Sequence, residues 1–145
     1  MATCTFFGHR DTPKAAEPIL QSTLTDLIEN ENVSLFYVGN QGNFDKMVIS
    51  NLRLLKQKYP HIRYCIVLAY IPDKNKQEDY ENTIYPEGIE YVPYKYAINE
   101  RNCWMISKSD FAITYVNSAG NSSKFSEIAE RKGLIVINLA EKVFD

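Results

Sequence analysis

The sequence lacks most of the signals that assign a chain at a glance. No apolar run approaches the roughly 20 residues of a membrane-spanning helix, so no membrane partner is expected. The opening residues, Met1-Ala2-Thr3-Cys4-Thr5-Phe6-Phe7, lack the basic start and long apolar stretch of a secretion signal, and the cytoplasm is the expected compartment. Neither sign of charge is in excess: 16 Lys and Arg against 18 Asp and Glu leave a net charge of −2. With a pI near 5.7 there is no global basic face of the kind that grips a phosphate backbone, so nucleic acid is not an expected partner. Three cysteines, Cys4, Cys65 and Cys103, give an odd count without a CxxC pair, and they read as buried reduced thiols. His9 and His61 are far apart, and no Cys/His cluster has metal-ligand spacing; no metal is expected. GxGxxG does not follow the first apolar strand, and GxxxxGK[ST] occurs nowhere. Hydride-transfer cofactors and P-loop NTPase chemistry are therefore disfavoured, and no cofactor is expected.

What remains is an ordinary globular composition, 45% hydrophobic and 23% charged, in a chain of 145 residues that suits one domain over 1–145. Apolar strand-like runs occupy residues 3–7, 33–38, 62–70, 89–92, 111–116 and 134–139. Between them lie helical patterns. After Pro13, Ile19, Leu20, Leu24, Leu27 and Ile28 recur at three- and four-residue spacings, with Pro18 predicting a late or strained start. Residues 45–58, 97–107 and 122–132 read as three further helices, the last closed by Gly133. The polar run from 73 to 83 reads as a mobile loop or frayed helix. Alternating strands and helices predict a Rossmann-like three-layer α/β/α sandwich around a mostly parallel sheet. In such sheets ligands bind beyond the carboxyl ends of the strands.

Three polar, glycine-bearing segments fall at that edge: Gly8-His9-Arg10-Asp11, then Gly39-Asn40-Gln41-Gly42-Asn43-Phe44-Asp45, then Asn117-Ser118-Ala119-Gly120-Asn121-Ser122-Ser123-Lys124. Glycines admit close backbone approach and helix N-termini favour anions, so a phosphate-bearing small molecule suits this edge; turn chemistry alone also selects Gly, Asn and Ser. Arg10 is placed either to fork onto a phosphate or to pair with Asp11 or Asp45, and His9 either to bond a ribose or phosphate oxygen or to serve as a structural donor. Asp45 accepts ribose hydroxyls or favours its helix start. Arg101 and Asn102 point either to the ligand edge or to a solvated helix face. Tyr91, Tyr94 and Tyr96 stand just before that helix, as base-stacking rings or as packing.

These residues carry a resemblance. Phe7-Gly8-His9-Arg10-Asp11, the 39–45 segment, Asn99-Glu100-Arg101-Asn102-Cys103-Trp104-Met105-Ile106-Ser107-Lys108-Ser109-Asp110, and Ala119-Gly120-Asn121-Ser122-Ser123-Lys124 with the helix running to Gly133 resemble the SLOG superfamily, in particular its small single-domain members, over essentially the whole chain. The superfamily includes the Lonely Guy phosphoribohydrolases, the DNA-processing protein A family and sensor domains for cyclic ADP-ribose-like signals. The resemblance implies a nucleotide or nucleotide-derived ligand in the strand-end cleft, contacted by Gly8, Arg10, Gly39, Gly42, Asp45, Arg101, Gly120 and Ser122. His9, Gln41, Asn102, Asn117 and Asn121 complete the expected set. Family analogy also implies a homodimer or higher homo-oligomer.

One departure bears on catalysis. The hydrolase relatives carry PGGxGTxxE, and this chain keeps Gly120 alone of those glycines, without the proline. Lys124 and Phe125 stand where the glutamate would be, and Glu127 falls later in the helix. Without a placed carboxylate, glycosidic cleavage loses its main electrostatic help. The expected function is thus a sensor or sponge that binds its ligand without catalysis. The alternative is a phosphoribohydrolase of nucleoside monophosphates in which Glu127 or Asp45 takes the acid role.

Overall fold

The computed structural model describes residues 1–70 and 82–142. Six strands, β1 (Ala2–Gly8), β2 (Val33–Val38), β3 (Arg63–Val67), β4 (Thr83–Ile84), β5 (Phe111–Tyr115) and β6 (Ile135–Asn138), form one sheet in the order β4-β3-β2-β1-β5-β6. Every pairing is parallel, for example Thr5 beside Tyr37 and Phe6 beside Ile113. Four helices connect them: α1 (Glu17–Asn30), α2 (Gly42–Lys58), α3 (Ala97–Ser107) and α4 (Asn121–Arg131). This is the Rossmann-like α/β architecture that the alternation predicts.

Successive strand side chains point to opposite faces, so an apolar run such as Phe6-Phe7 feeds two layers. Phe6 packs with Phe36, Leu20, Leu24, Val48 and Leu52, under α1 and α2. Phe7 packs with Val67, Met105, Ile106, Phe125 and Ala129, under α3 and α4, its ring stacked on Phe125 at 5.8 Å. Among the described residues no helix is long and apolar enough to cross a membrane.

The helix ends follow local chemistry. Pro18 falls in the first turn of α1, where its missing N–H leaves no bond unmade, so the helix starts at Glu17 rather than late. α4 ends as Gly133 predicts, at φ +90°. The Gly133 N–H donates to the Glu130 carbonyl and the Leu134 N–H to that of Ala129, both at 3.0 Å, which closes a Schellman cap. At the last residue of β6, Asn138 clamps the sheet edge: its Nδ2 donates to the Val116 carbonyl at 2.8 Å, and its Oδ1 accepts the Val116 N–H at 3.0 Å.

Two expectations are corrected. Residues 89–92 are not a strand; Ile89–Tyr91 is a single 3-10 turn, entered from Gly88 at φ +82° and left at Pro93. Proline and a left-handed glycine break the extended path, and the short Thr83–Ile84 strand pairs with β3 instead. The thiols are not uniformly buried either: Cys4 is buried, Cys65 half-buried and Cys103 exposed on α3. The polar run at 73–83 lies, through residue 81, outside the described residues.

One buried group is left without a partner. The Thr114 hydroxyl, on β5, has no hydrogen bond among the described residues, and the residue is fully buried. Thr114→Val keeps the shape and removes the unsatisfied hydroxyl. It is expected to raise stability by about 1 kcal/mol, seen as a higher urea midpoint at unchanged slope. An unmoved or lower midpoint would contradict it.

Candidate functional site

The chain runs from β1 toward β2 on one side and from β5 toward β6 on the other, so loops diverge between β1 and β5. A cavity of about 260 Å³ opens at this switch point. Its wall is built from the end of β1 (Gly8, His9, Arg10), the β2–α2 turn (Gly39, Gln41, Asp45), α3 (Arg101, Asn102) and the start of α4 (Asn121, Ser122). Ten expected site residues thus meet in one place. Three do not line it: Gly42 lies behind Arg10, and Asn117 and Gly120 are exposed on the β5–α4 loop. Glu127 is also away from it, on the outer face of α4, where it pairs with Arg131 at 3.9 Å. That is the one ion pair between described residues, so Arg10 is bound to neither Asp11 nor Asp45. The sequence reading missed the apolar wall formed by Phe6, Phe7, Ile98, Met105 and Phe125. No sequence signal separates such residues from the core they also belong to.

His9 joins two loops. Its N–H donates to the Tyr115 carbonyl at 3.2 Å, and its Nε2 accepts the Asn117 N–H at 3.0 Å. Nε2 is thus already engaged within the fold. The His9 carbonyl accepts the Thr12 N–H and hydroxyl, while the Asn43 N–H donates to the Arg10 carbonyl at 2.8 Å. Gly42, at φ +83°, is required there: an added Cβ would stand 2.7 Å from the Arg10 α-carbon.

Arg101 is the main departure from a solvated helix face. It is 2% exposed, with Nε donating to Asn102 Oδ1 at 2.9 Å and Nη1 to the Val67 carbonyl at 3.1 Å. A longer contact of 3.4 Å joins Nη1 to Asn40 Oδ1, and among the described residues Nη2 has no acceptor. Burial lowers the guanidinium's proton affinity, opposed by the Asp45 carboxylate. Asp45, 8% exposed, accepts the Gln41 N–H at 2.9 Å, so it does hold the start of α2. Burial pushes its carboxyl up to about 6, against the opposing pull of that N–H and of Arg101.

Gly39 separates the two charges. A Cβ there would sit 2.9 Å from Arg101 Cζ, Arg101 Nη1 and Asp45 Oδ2 alike. Gly39→Ala must displace at least one buried charged group, and should lower stability by about 1–3 kcal/mol in urea unfolding. A variant as stable as the parent would show that the turn has room to spare.

The fold and this cavity define a Rossmann-like α/β domain with a cationic strand-end cleft. The sequence matches no family profile, and no curated protein matches it. Among solved structures, it is similar to DNA processing protein A from Helicobacter pylori, described for its single-stranded DNA binding mode. The TM-score is 0.66 at 15% identity, over 99% of this chain and 71% of that one. At that identity the likeness establishes the fold. It also corrects the expectation about nucleic acid: a protein of this fold binds single-stranded DNA. Net charge is a sum over the whole surface and does not see two arginines gathered at one cavity.

Proposed function

We propose that this protein binds a nucleotide or nucleotide-derived small molecule in the strand-end cavity, as a sensor or sponge that leaves the ligand intact. The observation that carries the reading is Arg101: a nearly fully buried guanidinium, held by Val67 and Asn102, with Nη2 unengaged among the described residues on a cavity wall. Together with Arg10 it faces one carboxylate, that of Asp45, so the wall is net cationic in a chain of net charge −2. Ser122 and Asn121 open α4 on the same wall, where amides and the helix dipole add to the attraction for an anion. The cavity is slightly smaller than the roughly 300–1,000 Å³ usual for small-molecule sites, which favours a single nucleotide unit over a dinucleotide. The resemblance to the SLOG superfamily points the same way.

A second reading is supported by Asp45. A buried carboxyl that titrates near 6, on the wall of the same cavity, has the proton affinity a general acid needs, and suits cleavage of an N-glycosidic bond. Glu127 contributes nothing to that reading, since it faces solvent.

Calorimetric titration with AMP, ribose 5-phosphate, adenosine and a single-stranded oligonucleotide tests both readings. The expected result is binding of the two phosphates, none of adenosine, and recovery of AMP unchanged. Absence of binding across the small molecules would overturn the first reading, and an oligonucleotide bound alone would replace it. Release of adenine, abolished by Asp45→Asn, would establish the second.

A further inference from the structure

Four exposed tyrosines, Tyr85, Tyr91, Tyr94 and Tyr96, lie just before α3. One of them is pre-arranged. The Tyr94 ring stacks on that of Tyr70 at 4.1 Å and 16°, and the Tyr70 hydroxyl donates to the Tyr94 carbonyl at 3.1 Å. Tyr70 thus supports Tyr94 from beneath through both ring and backbone. Tyr94 remains 75% exposed, so the ring face turned away from Tyr70 meets solvent.

Neither ring lines the cavity, but the pair reaches its wall through the start of α3. The turn Tyr94–Tyr96 runs directly into α3. Ile98, one turn on, lines the cavity and also packs on the cluster of Ala69, Ile89 and Ala97, which Tyr70 joins. A ligand whose anionic group is drawn to Arg101 therefore has a flat aromatic surface at the α3 edge of its site. An exposed ring lying parallel on a second ring presents its π-face rather than its edge, which is the face a planar heterocycle stacks on.

We infer that Tyr94, backed by Tyr70, is a stacking platform for the aromatic base of the nucleotide whose phosphate the cavity receives. The inference rests on the proposed nucleotide reading and adds to it a ligand class: an aromatic heterocycle is part of the ligand and is recognised by its π-face, not by hydrogen bonds to its edge. Purines, with the larger ring system, should bind more tightly than pyrimidines.

The test compares AMP with ribose 5-phosphate on the parent protein, Tyr94→Ala and Tyr94→Phe. Stacking of a base on an aromatic side chain is worth about 1–3 kcal/mol by alanine substitution, which at 1.4 kcal/mol per tenfold is about 5- to 150-fold in Kd. Tyr94→Ala should weaken AMP by that factor and leave ribose 5-phosphate unchanged, while Tyr94→Phe, which keeps the ring, should bind both as the parent does. The 5′-monophosphate of 2-aminopurine riboside should be quenched on the parent protein and not on Tyr94→Ala. Equal parental affinity for the two ligands, with Tyr94→Ala changing neither, would overturn the platform and leave the cavity reading intact. Equal weakening of both would make Tyr94 a structural residue and likewise overturn it. Failure of both ligands to bind the parent would overturn the cavity reading and the platform with it.

Discussion

Gly8→Ala is expected to destabilise the protein by about 3 kcal/mol, at the upper end of the usual cost of overfilling a core. An alanine Cβ at the end of β1 would stand 2.2 Å from Phe44 Cγ and 2.4 Å from Cδ2. The Phe44 ring cannot swing clear, because it is fully buried among Phe6, Val48 and their neighbours. The close approach of α2 to β1 thus depends on the missing side chain at Gly8. The consequence reaches the site, since Gly8 and His9 line the cavity. The measurement is urea unfolding, with a melting temperature lower by roughly 10 °C. The steric origin can be isolated with Phe44→Leu: the double variant should lose less than the sum of the two single losses. Strict additivity would show that the two residues do not collide and that Gly8 is needed for another reason.

Arg101→Met is expected to have an effect of similar size, but one that depends on pH. At pH 8 it should cost about 3 kcal/mol, the lower end of the range for leaving a buried charge uncompensated. The Val67 carbonyl and Asn102 Oδ1 lose a donor, and the buried Asp45 carboxylate loses the compensating cation across Gly39. In the parent, Asp45 titrates near 6, above the ordinary 3.8. Between those values the folded protein holds a proton that the unfolded chain has released, so this group's contribution to stability is most favourable below about pH 4 and declines as pH rises through 6. Without Arg101 the carboxyl is pushed further up and the decline extends to a higher folded value. The gap in stability between parent and variant should therefore be smaller at pH 5 than at pH 8, and Asp45→Asn in the Arg101→Met background should flatten it. A gap independent of pH would mean that the two groups are not coupled across Gly39. On the proposed nucleotide reading, AMP affinity should also fall with Arg101→Met at every pH, a readout separate from the folding effect.

The candidate site shows how far local pattern reaches. The run Ala97–Ser107 is helical over the residues its sequence suggests, and the loops that flank Gly8 and Gly39 do converge on one cavity. Those features come from period and from the parallel topology, both written along the chain. Residues 89–92 show the opposite. Their apolar and aromatic character reads as a strand, but Gly88 and Pro93 bend the backbone into a turn that buries Ile89 alone of its three residues. Arg101 is the sharper case. Flanked by Glu100 and Asn102, it has the local look of a solvated helix face, yet it is nearly fully buried.

The layer architecture was legible before any fold was in view. Strand-helix alternation with strands apolar on both faces has one economical solution, a covered parallel sheet, and its loops must leave at the carboxyl edge. Which polar residues face each other at that edge emerged only on folding. Arg101 comes from α3, Asp45 from α2 and Gly39 from the turn after β2, and the meeting of the two charges within 2.9 Å of a single missing Cβ is encoded in no local pattern. Burial makes the difference. The same arginine is an ordinary surface cation or a buried charge on a cavity wall depending on what packs around it, and that packing is a property of the assembled sheet and helices.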